Sequence, residues 1–311
     1  MNNLGQNNSE NKSKMESSLK VLFAGCGDIG LRTIRRLESH QEASVWQTLA
    51  MRRHIGVLPS NVDAVEGDLR DTAGLVRLLD RSRIDAVVIT LTPDHMSDDG
   101  YRDSYVTAAQ AVKSAIAQTT QPPSLVVWIS SSGVYGQSGG EWVDELTETS
   151  PTSFRGKRLL EAEKIIDELP ITSVVVRFSG IYGPGRSRLI NQVRRGSIVS
   201  SDPVHWTNRI HSEDCAGVIA HVLNRYCQGQ SLEALYLATD NEPVPAYDIQ
   251  SWLAGQLGVD VGTKLGVQEV QPVSRPGNRR CSNRRLRDSG YPFLFPTFRE
   301  GYQAVLGEMS E

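Results

Sequence analysis

The sequence predicts an α/β fold with a doubly wound parallel sheet and a smaller C-terminal lobe. Across the first two thirds of the chain, short apolar runs alternate with amphipathic segments, a pattern typical of βαβ units. The last third differs, because it carries many of the prolines, an arginine-rich stretch at 275–287 and two short predicted helices. A chain of 311 residues has room for one large α/β domain with an attached lobe.

Each element follows from its hydrophobic period. Residues 19–24 are a largely apolar run of the buried-strand type, and residues 28–38 space Ile29, Ile34 and Leu37 as a helix does. Further strands are predicted at 44–50, 64–67, 84–92, 124–130, 171–178 and 234–238. Further helices are predicted at 72–80, 101–118, 157–168, 213–226, 246–257 and 296–306.

A glycine-rich turn joins the first strand to the first helix. Its sequence, Gly25-Cys26-Gly27-Asp28-Ile29-Gly30, matches the dinucleotide-binding fingerprint in the required strand–turn–helix context. Gly25 permits the tight turn, Gly27 lets the backbone approach a pyrophosphate, and Gly30 allows close packing of helix and strand. The helix N-terminus at Asp28 and Ile29 offers free N–H groups to phosphates. The turn predicts NAD(P) binding by a Rossmann-type domain, the alternative being a turn that merely packs.

Two arginines favour the phosphorylated cofactor. About 20 residues beyond the last glycine, an acidic residue would hold the ribose hydroxyls of NAD. This sequence instead has Arg52 and Arg53 and no carboxylate. A guanidinium offers a charge-assisted fork that suits the 2′-phosphate of NADP. NADP is therefore favoured over NAD, although a solvated basic turn would read the same.

Two later strand ends are predicted to form further walls of the cofactor site. Asp68 and Leu69 follow the third strand, where a carboxylate can accept a hydrogen bond from the adenine amino group. Thr90, Leu91 and Thr92 close the fourth strand beside the expected pyrophosphate crevice.

These signals divide the chain into three parts. Residues 1–18 are rich in Asn, Ser and Lys and predict a disordered tail with no secretory signal. Residues 19–180 predict the NAD(P)-binding domain, which segments at about 208–240 complete. Residues 181–311 predict mainly a substrate-binding lobe.

Composition excludes several function classes. A net charge of −3 argues against a nucleic-acid binder, and no apolar run approaches the ~18 residues that a membrane span needs. The four cysteines show no C-x-x-C spacing and the six histidines no ligand cluster, so no metal site is predicted. Reduced thiols and the absence of a leader predict a cytoplasmic protein.

Three further motifs follow in the order Val134-Tyr135-Gly136, Tyr182-Gly183-Pro184-Gly185 and Arg209-Ile210-His211-Ser212. In this order they resemble the extended short-chain dehydrogenase/reductases, the NAD(P)-dependent epimerase/dehydratase-like group that acts largely on nucleotide sugars. Asp68 also falls on the family's adenine-binding position. The resemblance spans residues 19–307 and implies a seven-stranded parallel sheet, a substrate lobe and a nicotinamide held near the end of the fifth strand.

The family's catalytic dyad is absent. The resemblance calls for a Ser or Thr, which falls on Ser131, and for a Tyr followed four residues later by Lys. The Tyr acts as general acid/base, and the Lys lowers its pKa. None of the nine tyrosines here has Lys at i+4. The departure resembles the atypical members of the family.

Three alignments of the dyad segment stay open. Aligned on Gly156, Arg155 takes the Tyr place and Leu159 the Lys place. Aligned on Lys157, Ser153 takes the Tyr place; aligned on Phe154, Arg158 replaces the Lys.

The candidate catalytic residues are therefore Ser131, Tyr135 and Lys157. Ser131 can hydrogen-bond a substrate carbonyl or hydroxyl, unless the backbone satisfies it. Tyr135 is the nearest phenol that could replace the missing acid, the alternative being a packing role. Lys157 is the nearest cation, although pairing with Glu161 at i,i+4 accounts for it equally.

Candidate substrate-binding residues are basic. Arg186 and Arg188 follow the Tyr-Gly-Pro-Gly motif, and Arg279 and Arg280 belong to the arginine-rich stretch. Together they suit a phosphate- or carboxylate-bearing substrate, unless they are solvated surface arginines.

Two functions from different classes follow. The first is an NAD(P)-linked oxidoreductase or epimerase/dehydratase-like enzyme on a small anionic or nucleotide-sugar-like substrate. The second is a catalytically silent NADP-binding protein that senses redox state or supports a partner, which the missing dyad favours. Either would act as a monomer or homodimer, with a small molecule as its ligand.

Overall fold

Seven parallel strands form the central sheet of the computed structural model, which describes residues 18–39, 45–260 and 277–309. The predicted tail, apart from Ser18, and Arg275 lie outside these residues. In chain order the strands are Leu19–Ala24 (β1), Trp46–Arg52 (β2), Ala64–Glu66 (β3), Ala86–Ile89 (β4), Leu125–Ser131 (β5), Thr172–Phe178 (β6) and Leu235–Ala238 (β7).

The strand order confirms the predicted fold class. Along the sheet the order is β7-β6-β5-β4-β1-β2-β3. The chain starts in the middle at β1, winds one way through β2 and β3, then returns to wind the other way from β4. This is the doubly wound Rossmann-type arrangement, whose strand order reverses between β1 and β4.

Helices cover both faces of the sheet. The helices of the described residues are Asp28–Ser39 (α1), Thr72–Ser82 (α2), residues 98–118 (α3), Phe154–Asp167 (α4), Arg188–Arg194 (α5), Ser212–Cys227 (α6), Ala246–Leu257 (α7), Arg284–Asp288 (α8) and Phe298–Glu308 (α9). Of these, α1 and α6 pack on one face of the sheet and α2, α3 and α4 on the other. Short 3₁₀ turns lie at Ile55–Val57 and Ser132–Val134. Within α3, Arg102–Thr107 is π-helical.

Burial on both faces explains the nearly continuous apolar strands. In β1, Val21 and Phe23 pack with α1 and α6, whereas Leu22 and Ala24 pack with α2, α3 and α4. Successive strand side chains point to opposite faces, so a strand buried on both sides must be apolar throughout.

The C-terminal part contains a separate small core. Tyr182, Ile190, Leu253 and Phe298 form it with neighbouring apolar residues of α5, α7 and α9. Short strand pairs connect this core to the sheet region: Gly180–Tyr182 with Arg209–His211, Trp206–Thr207 with Val244–Pro245, and Glu141–Val143 with Arg279–Cys281. In contrast, α6 packs on α1 and β7 pairs with β6, so the chain returns to the sheet between 212 and 238.

Some predicted boundaries were wrong for identifiable reasons. The strand predicted at 84–92 ends at Ile89, whose partner in the neighbouring strand β1 is Ala24, the last residue of that strand. The helix predicted to start at 157 begins at Phe154, since the Ser153 side chain accepts from Gly156 N and caps it. Ser97 likewise caps α3, which begins at Asp98, three residues before its predicted start.

A buried ion pair ties α4 to the sheet. Nε and Nη2 of Arg177 in β6 donate to the Glu163 carboxylate of α4, the shortest contact being 2.6 Å. Both side chains are almost inaccessible, at 7% and 6% exposure. Ser130 donates to the same carboxylate at 2.5 Å, and Arg177 also donates to the Tyr135 hydroxyl at 3.0 Å. Four segments of chain are thus held by one charge pair.

Breaking this pair should cost far more than breaking a surface pair on the same helix. Glu163→Ala should lower the free energy of unfolding by about 3–5 kcal/mol, because Arg177 would stay buried without its counter-charge. The matched control is Glu161→Ala, which removes an exposed carboxylate paired with Arg158 and should cost about 0.5 kcal/mol. Urea unfolding measures both, and equal small losses would contradict the structural role of Glu163.

Candidate functional site

Two cavities lie along the carboxyl edge of the parallel sheet. Cavity A, of about 420 Å³, is lined by residues that follow β1, β2, β3 and β4, among them Gly27, Arg53, Asp68 and Thr92. Cavity B, of about 660 Å³, is lined by residues that follow β5 and β6, by the start of α4 and by Arg279. Leu91 lines both cavities, so they are neighbours at the switch point of the sheet, and we refer to the two together as the cleft.

The glycine turn fits a bound dinucleotide. Gly25 has φ +71, and a Cβ there would lie 2.7 Å from Leu91 Cδ2. A Cβ on Gly30 would lie 3.0 Å from Cys26 Sγ, so packing explains both glycines. A Cβ on Gly27 would meet only Gly25 O, at 3.9 Å, and would project into cleft space. Packing therefore does not require glycine at position 27, whereas close approach of a pyrophosphate does.

The strand ends after β4 support this turn. Thr90 is buried, and its Oγ1 donates to Gly25 O at 3.3 Å. Leu91 and Thr92 line cavity A, and Leu91 O accepts from the Tyr105 hydroxyl at 3.3 Å. Ile29, by contrast, packs against the core under the sheet and not toward the cleft.

Asp28 is the first residue of α1, directly after Gly27 of cavity A, and its carboxylate pairs with an arginine of cavity B. Its carboxylate accepts from Arg32 Nε at 2.8 Å and from Arg186 Nη2 at 3.0 Å. Arg32 also donates to Glu213 of α6. Arg186 lines cavity B, so one predicted substrate residue reaches the helix N-terminus where a pyrophosphate would lie.

Charged side chains surround cavity A. Arg52 Nη1 donates to Cys26 O at 3.2 Å, and Arg53 makes two bonds with Asp94, of 2.7 and 2.5 Å. Arg70 binds Asp68, with the closest contact 2.6 Å. The Arg70 hydrogen bonds hold the pKa of Asp68 below its usual value. Leu69 lines the same cavity.

Cavity B is basic. Three arginines, Arg155, Arg186 and Arg279, line it together with serines, tyrosines and apolar groups. No Asp or Glu is among the described residues of its wall. Ser131 lies in this wall at the end of β5, and its Oγ accepts from Gly133 N at 3.1 Å.

The residues at the start of α4 differ in whether they line cavity B. Arg155 and Leu159, four residues apart, both line cavity B. Lys157 is exposed and lies outside the wall of that cavity, on the side of Asp98. The alignment on Gly156 is therefore the one that places both dyad positions toward the cavity.

Three tyrosines line cavity B. The Tyr135 hydroxyl donates to Asp144 O at 2.7 Å and accepts from Arg177, and burial raises its pKa to about 12. The Tyr105 hydroxyl donates to Leu91 O. Tyr101 is 8% exposed, and its hydroxyl has no hydrogen-bond partner in the described part of the chain. Its ring packs edge-on against Phe154, and the π-helical segment follows it directly.

The predicted basic residues of the lobe separate into two groups. Arg279 is buried, donates to Ser132 O and Tyr135 O at 2.7 and 2.8 Å, and lines cavity B. Arg280 is held between the rings of Trp142 and Trp206 and donates to Gly140 O, outside both cavity walls. Arg188 is an exposed residue at the start of α5, likewise outside them.

A buried polar cluster lies where the lobe meets the sheet. Tyr182 Oη, Arg209 Nη1, His211 Nε2, Ser212 Oγ and Asp240 Oδ2 are all buried without a hydrogen-bond partner among described residues. Burial lowers the pKa of His211 to about 4 and raises that of Asp240 to about 7. His211 Nδ1 accepts from Glu213 N, so His211 caps α6.

Within the described ranges, no group of metal-ligating side chains comes together, and no helix has the length and apolarity to cross a membrane.

Comparisons with known proteins agree with this architecture. A family model described as the RmlD substrate binding domain matches residues 21–310. A structure from Methylobacillus flagellatus, described as a candidate NAD-dependent epimerase/dehydratase, is 34% identical over 95% of this chain and 100% of that one, with a TM-score of 0.79. The chain belongs to the extended short-chain dehydrogenase/reductase family.

Other structures related to the extended family share the fold at lower identity. UDP-glucose 4-epimerase of Thermus thermophilus, solved with NAD, is 18% identical over 94% of this chain and 99% of that one, with a TM-score of 0.72. WbmG of Bordetella bronchiseptica, solved with NAD and UDP, is 14% identical over 94% of both chains, with a TM-score of 0.73. No curated protein matches.

Sequence reasoning missed several side chains that line the cleft, among them the following three. Arg70 and Asp94 join cavity A, and Tyr101 joins cavity B. Arg70 could have been predicted, because it stands only two residues after the predicted cofactor residue Asp68. No sequence signal predicted the other two, because their positions depend on a loop path and on a π-helical segment.

The raised pKa of Asp240 predicts how the stability of the protein depends on pH. Its folded pKa is about 7 and its ordinary value 3.8, so the folded state loses stability as the pH rises between them. Asp240→Asn removes this titration, whereas His211 titrates alike in both proteins. The free energy of unfolding of the variant, relative to that of the wild type, should therefore increase by up to about 1.4 kcal/mol per pH unit as the pH rises to about 7. Urea unfolding across that range measures the slope, and a constant offset would contradict burial of the carboxyl.

Proposed function

We propose that the protein is an NADP-preferring oxidoreductase or epimerase/dehydratase-like enzyme acting on a small anionic substrate. One observation carries the proposal. Two neighbouring cavities with a common wall at Leu91 lie along the carboxyl ends of the strands, with a glycine turn of the phosphate-binding type in cavity A and three arginines in cavity B. A dinucleotide in cavity A would direct its reactive end toward the substrate pocket.

The residues present fit a nicotinamide dinucleotide. Gly25, Gly27 and the N-terminus of α1 would hold the pyrophosphate, and Asp68 and Leu69 the adenine side. Family membership and the NAD-bound relatives support this assignment. When bound, the cofactor supplies hydride chemistry; the protein supplies position, charge and proton handling.

Preference for NADP rests on guanidinium groups. Arg52, Arg53 and Arg70 line cavity A near the end of β2, where the adenosine ribose binds in this fold. The 2′-phosphate carries charge that such forks recognise.

The substrate class follows from the wall of cavity B. Three cations line it, namely Arg155, Arg186 and Arg279. Burial lowers the pKa of Arg279, and a bound anion would raise that pKa again by stabilising the charged form. Relatives that act on UDP-glucose or bind UDP make a nucleotide-sugar-like substrate the first class to examine.

Proton transfer needs a group other than the usual dyad. A guanidinium offers hydrogen-bond donors and no acceptor, and leucine has no polar group, so Arg155 and Leu159 at the two dyad positions offer substrate binding but no general acid/base. Ser131 would hydrogen-bond the reacting oxygen. Of the three cavity tyrosines, Tyr101 has the unpartnered hydroxyl, so we assign it the proton transfer ahead of Tyr135, whose hydroxyl is engaged twice.

The rival function is a catalytically silent NADP-binding protein. Leu159 and Arg155 in the dyad positions favour it. A screen of nucleotide sugars and carbonyl compounds with NADPH separates the two, since turnover of any of them excludes the silent protein.

The first test is cofactor binding followed by thermal melting. At about 100 times its dissociation constant a ligand adds about 2.7 kcal/mol of stability, which should raise Tm by several degrees. NADPH should reach this shift at lower concentration than NADH. In the Arg52→Ala/Arg53→Ala variant, the NADPH shift should need about ten- to a hundredfold more ligand per lost contact, with the NADH shift nearly unchanged.

The matched control is Arg194→Ala/Arg195→Ala, which removes two adjacent exposed arginines of the lobe and should leave both shifts unchanged. If NADH weakens as much as NADPH in the first variant, the pair shapes the turn and does not read the phosphate. No shift with either dinucleotide refutes cofactor binding.

The second test concerns the tyrosines, using a substrate found in the screen. Tyr101→Phe should lower kcat by about 10²–10⁴-fold, because it deletes the acid/base hydroxyl and keeps the ring. The control Tyr105→Phe lies four residues along the same helix and has its hydroxyl on Leu91 O, so kcat should stay within a few fold. A large loss in Tyr135→Phe with full activity in Tyr101→Phe would reassign the acid to Tyr135.

A further inference from the structure

An ion pair crosses the cleft above the glycine turn. Arg53 comes directly after β2 and Asp94 comes from the loop after β4, while β1 lies between these two strands. A bond between the two loops must therefore pass across the carboxyl end of β1. Both residues line cavity A together with Gly25 and Gly27. The pair thus occupies the cavity assigned above to the adenosine half of the cofactor.

The Asp94 carboxylate binds both terminal nitrogens of the Arg53 guanidinium. Nη1 and Nη2 of Arg53 each donate to a different oxygen of the Asp94 carboxylate, at 2.7 and 2.5 Å. The side chains keep 47% and 33% of their exposure, so a ligand in the cavity can reach them. Arg70 Nη1 lies 3.9 Å from the same carboxylate.

The other guanidiniums at this end are held by groups close to them in sequence or in the backbone. Arg70 binds Asp68, two residues away, through side-chain and backbone contacts, and Arg52 binds the Cys26 carbonyl. The Arg53 partner, by contrast, comes from the opposite wall of the cleft. Among described residues the Asp94 carboxylate hydrogen-bonds no other guanidinium, since Arg70 stays 3.9 Å away. A carboxylate and a phosphate use the same paired N–H groups of an arginine, so they compete for this fork.

We propose that Asp94 is an internal counter-anion that the 2′-phosphate of NADP displaces from Arg53, so that Asp94 sets the discrimination between NADP and NAD. The inference rests on the proposed cofactor function and adds a specificity residue to it. NADP must break the Arg53–Asp94 pair and then tolerate the released carboxylate beside its phosphate. NAD has no group for Arg53 and leaves the pair closed.

Calorimetric titration with NADP⁺ and NAD⁺ tests this on the full chain. Asp94→Asn keeps the side-chain shape and removes the competing charge, so NADP⁺ should bind about fivefold more tightly and NAD⁺ within about twofold of wild type. The matched control Asp99→Asn removes an exposed carboxylate paired with Arg102 and should change neither affinity. In an Arg53→Ala background, Asp94→Asn should no longer tighten NADP⁺ binding.

Each other result overturns the proposal. Weaker NADP⁺ binding in Asp94→Asn would make Asp94 a support that orients Arg53. Equal changes in the affinities for both dinucleotides would mean that the pair contacts the adenosine that they share. No change in either affinity would place the pair outside the binding site. If the wild type binds neither dinucleotide, the proposed function itself fails, whereas wild-type binding with any of the other results refutes the role of Asp94 alone.

Discussion

The buried Glu163–Arg177 pair determines the shape of the candidate active site. It joins α4 to β6, and through Ser130 and Tyr135 it also holds the end of β5 and the loop after it. Removing two charges from water costs several kcal/mol per ion, so the pair is stable only because its hydrogen bonds are nearly complete. Since α4 begins beside cavity B, the same contacts fix where Arg155 and Leu159 lie.

The cleft also contains ion pairs, but these are partly exposed, so a ligand can replace one partner of each pair. Asp28 neutralises Arg186 and Arg32 near the pyrophosphate position, and Asp94 neutralises Arg53 at the adenosine end. These pairs are partly exposed, so each contributes little to stability and is easily exchanged. The buried pair therefore holds the scaffold, whereas the exposed pairs leave their charged groups accessible from the cleft.

Sequence alone predicted the features that local pattern encodes. The βαβ order, the glycine turn and the strand-end residues after β1 to β4 all follow from periodicity and spacing, and the structure places Gly25, Gly27, Arg52, Arg53 and Asp68 in one cavity. Side-chain direction at long range was not predictable. The Asp94 position depends on the path after Pro93, and the Tyr101 position on a π-helical segment whose extra residue per turn no hydrophobic pattern marks. Missing the Ser153 cap also concealed that Arg155 lies in the first turn of α4.

The two halves of the cleft differ in how sequence change affects them. Cavity A is built largely from backbone geometry, namely strand ends, a left-handed Gly25 and a helix N-terminus, so it persists wherever the sheet persists. Proton transfer in the family instead depends on two side chains one helical turn apart, which can change without disturbing the sheet. In this chain the Ser153 cap and the buried Glu163 hold α4 in place, and its first turns present Arg155 and Leu159 to cavity B. Cofactor binding and reaction type are therefore separable properties of this fold, and the reaction must be inferred from cavity B alone.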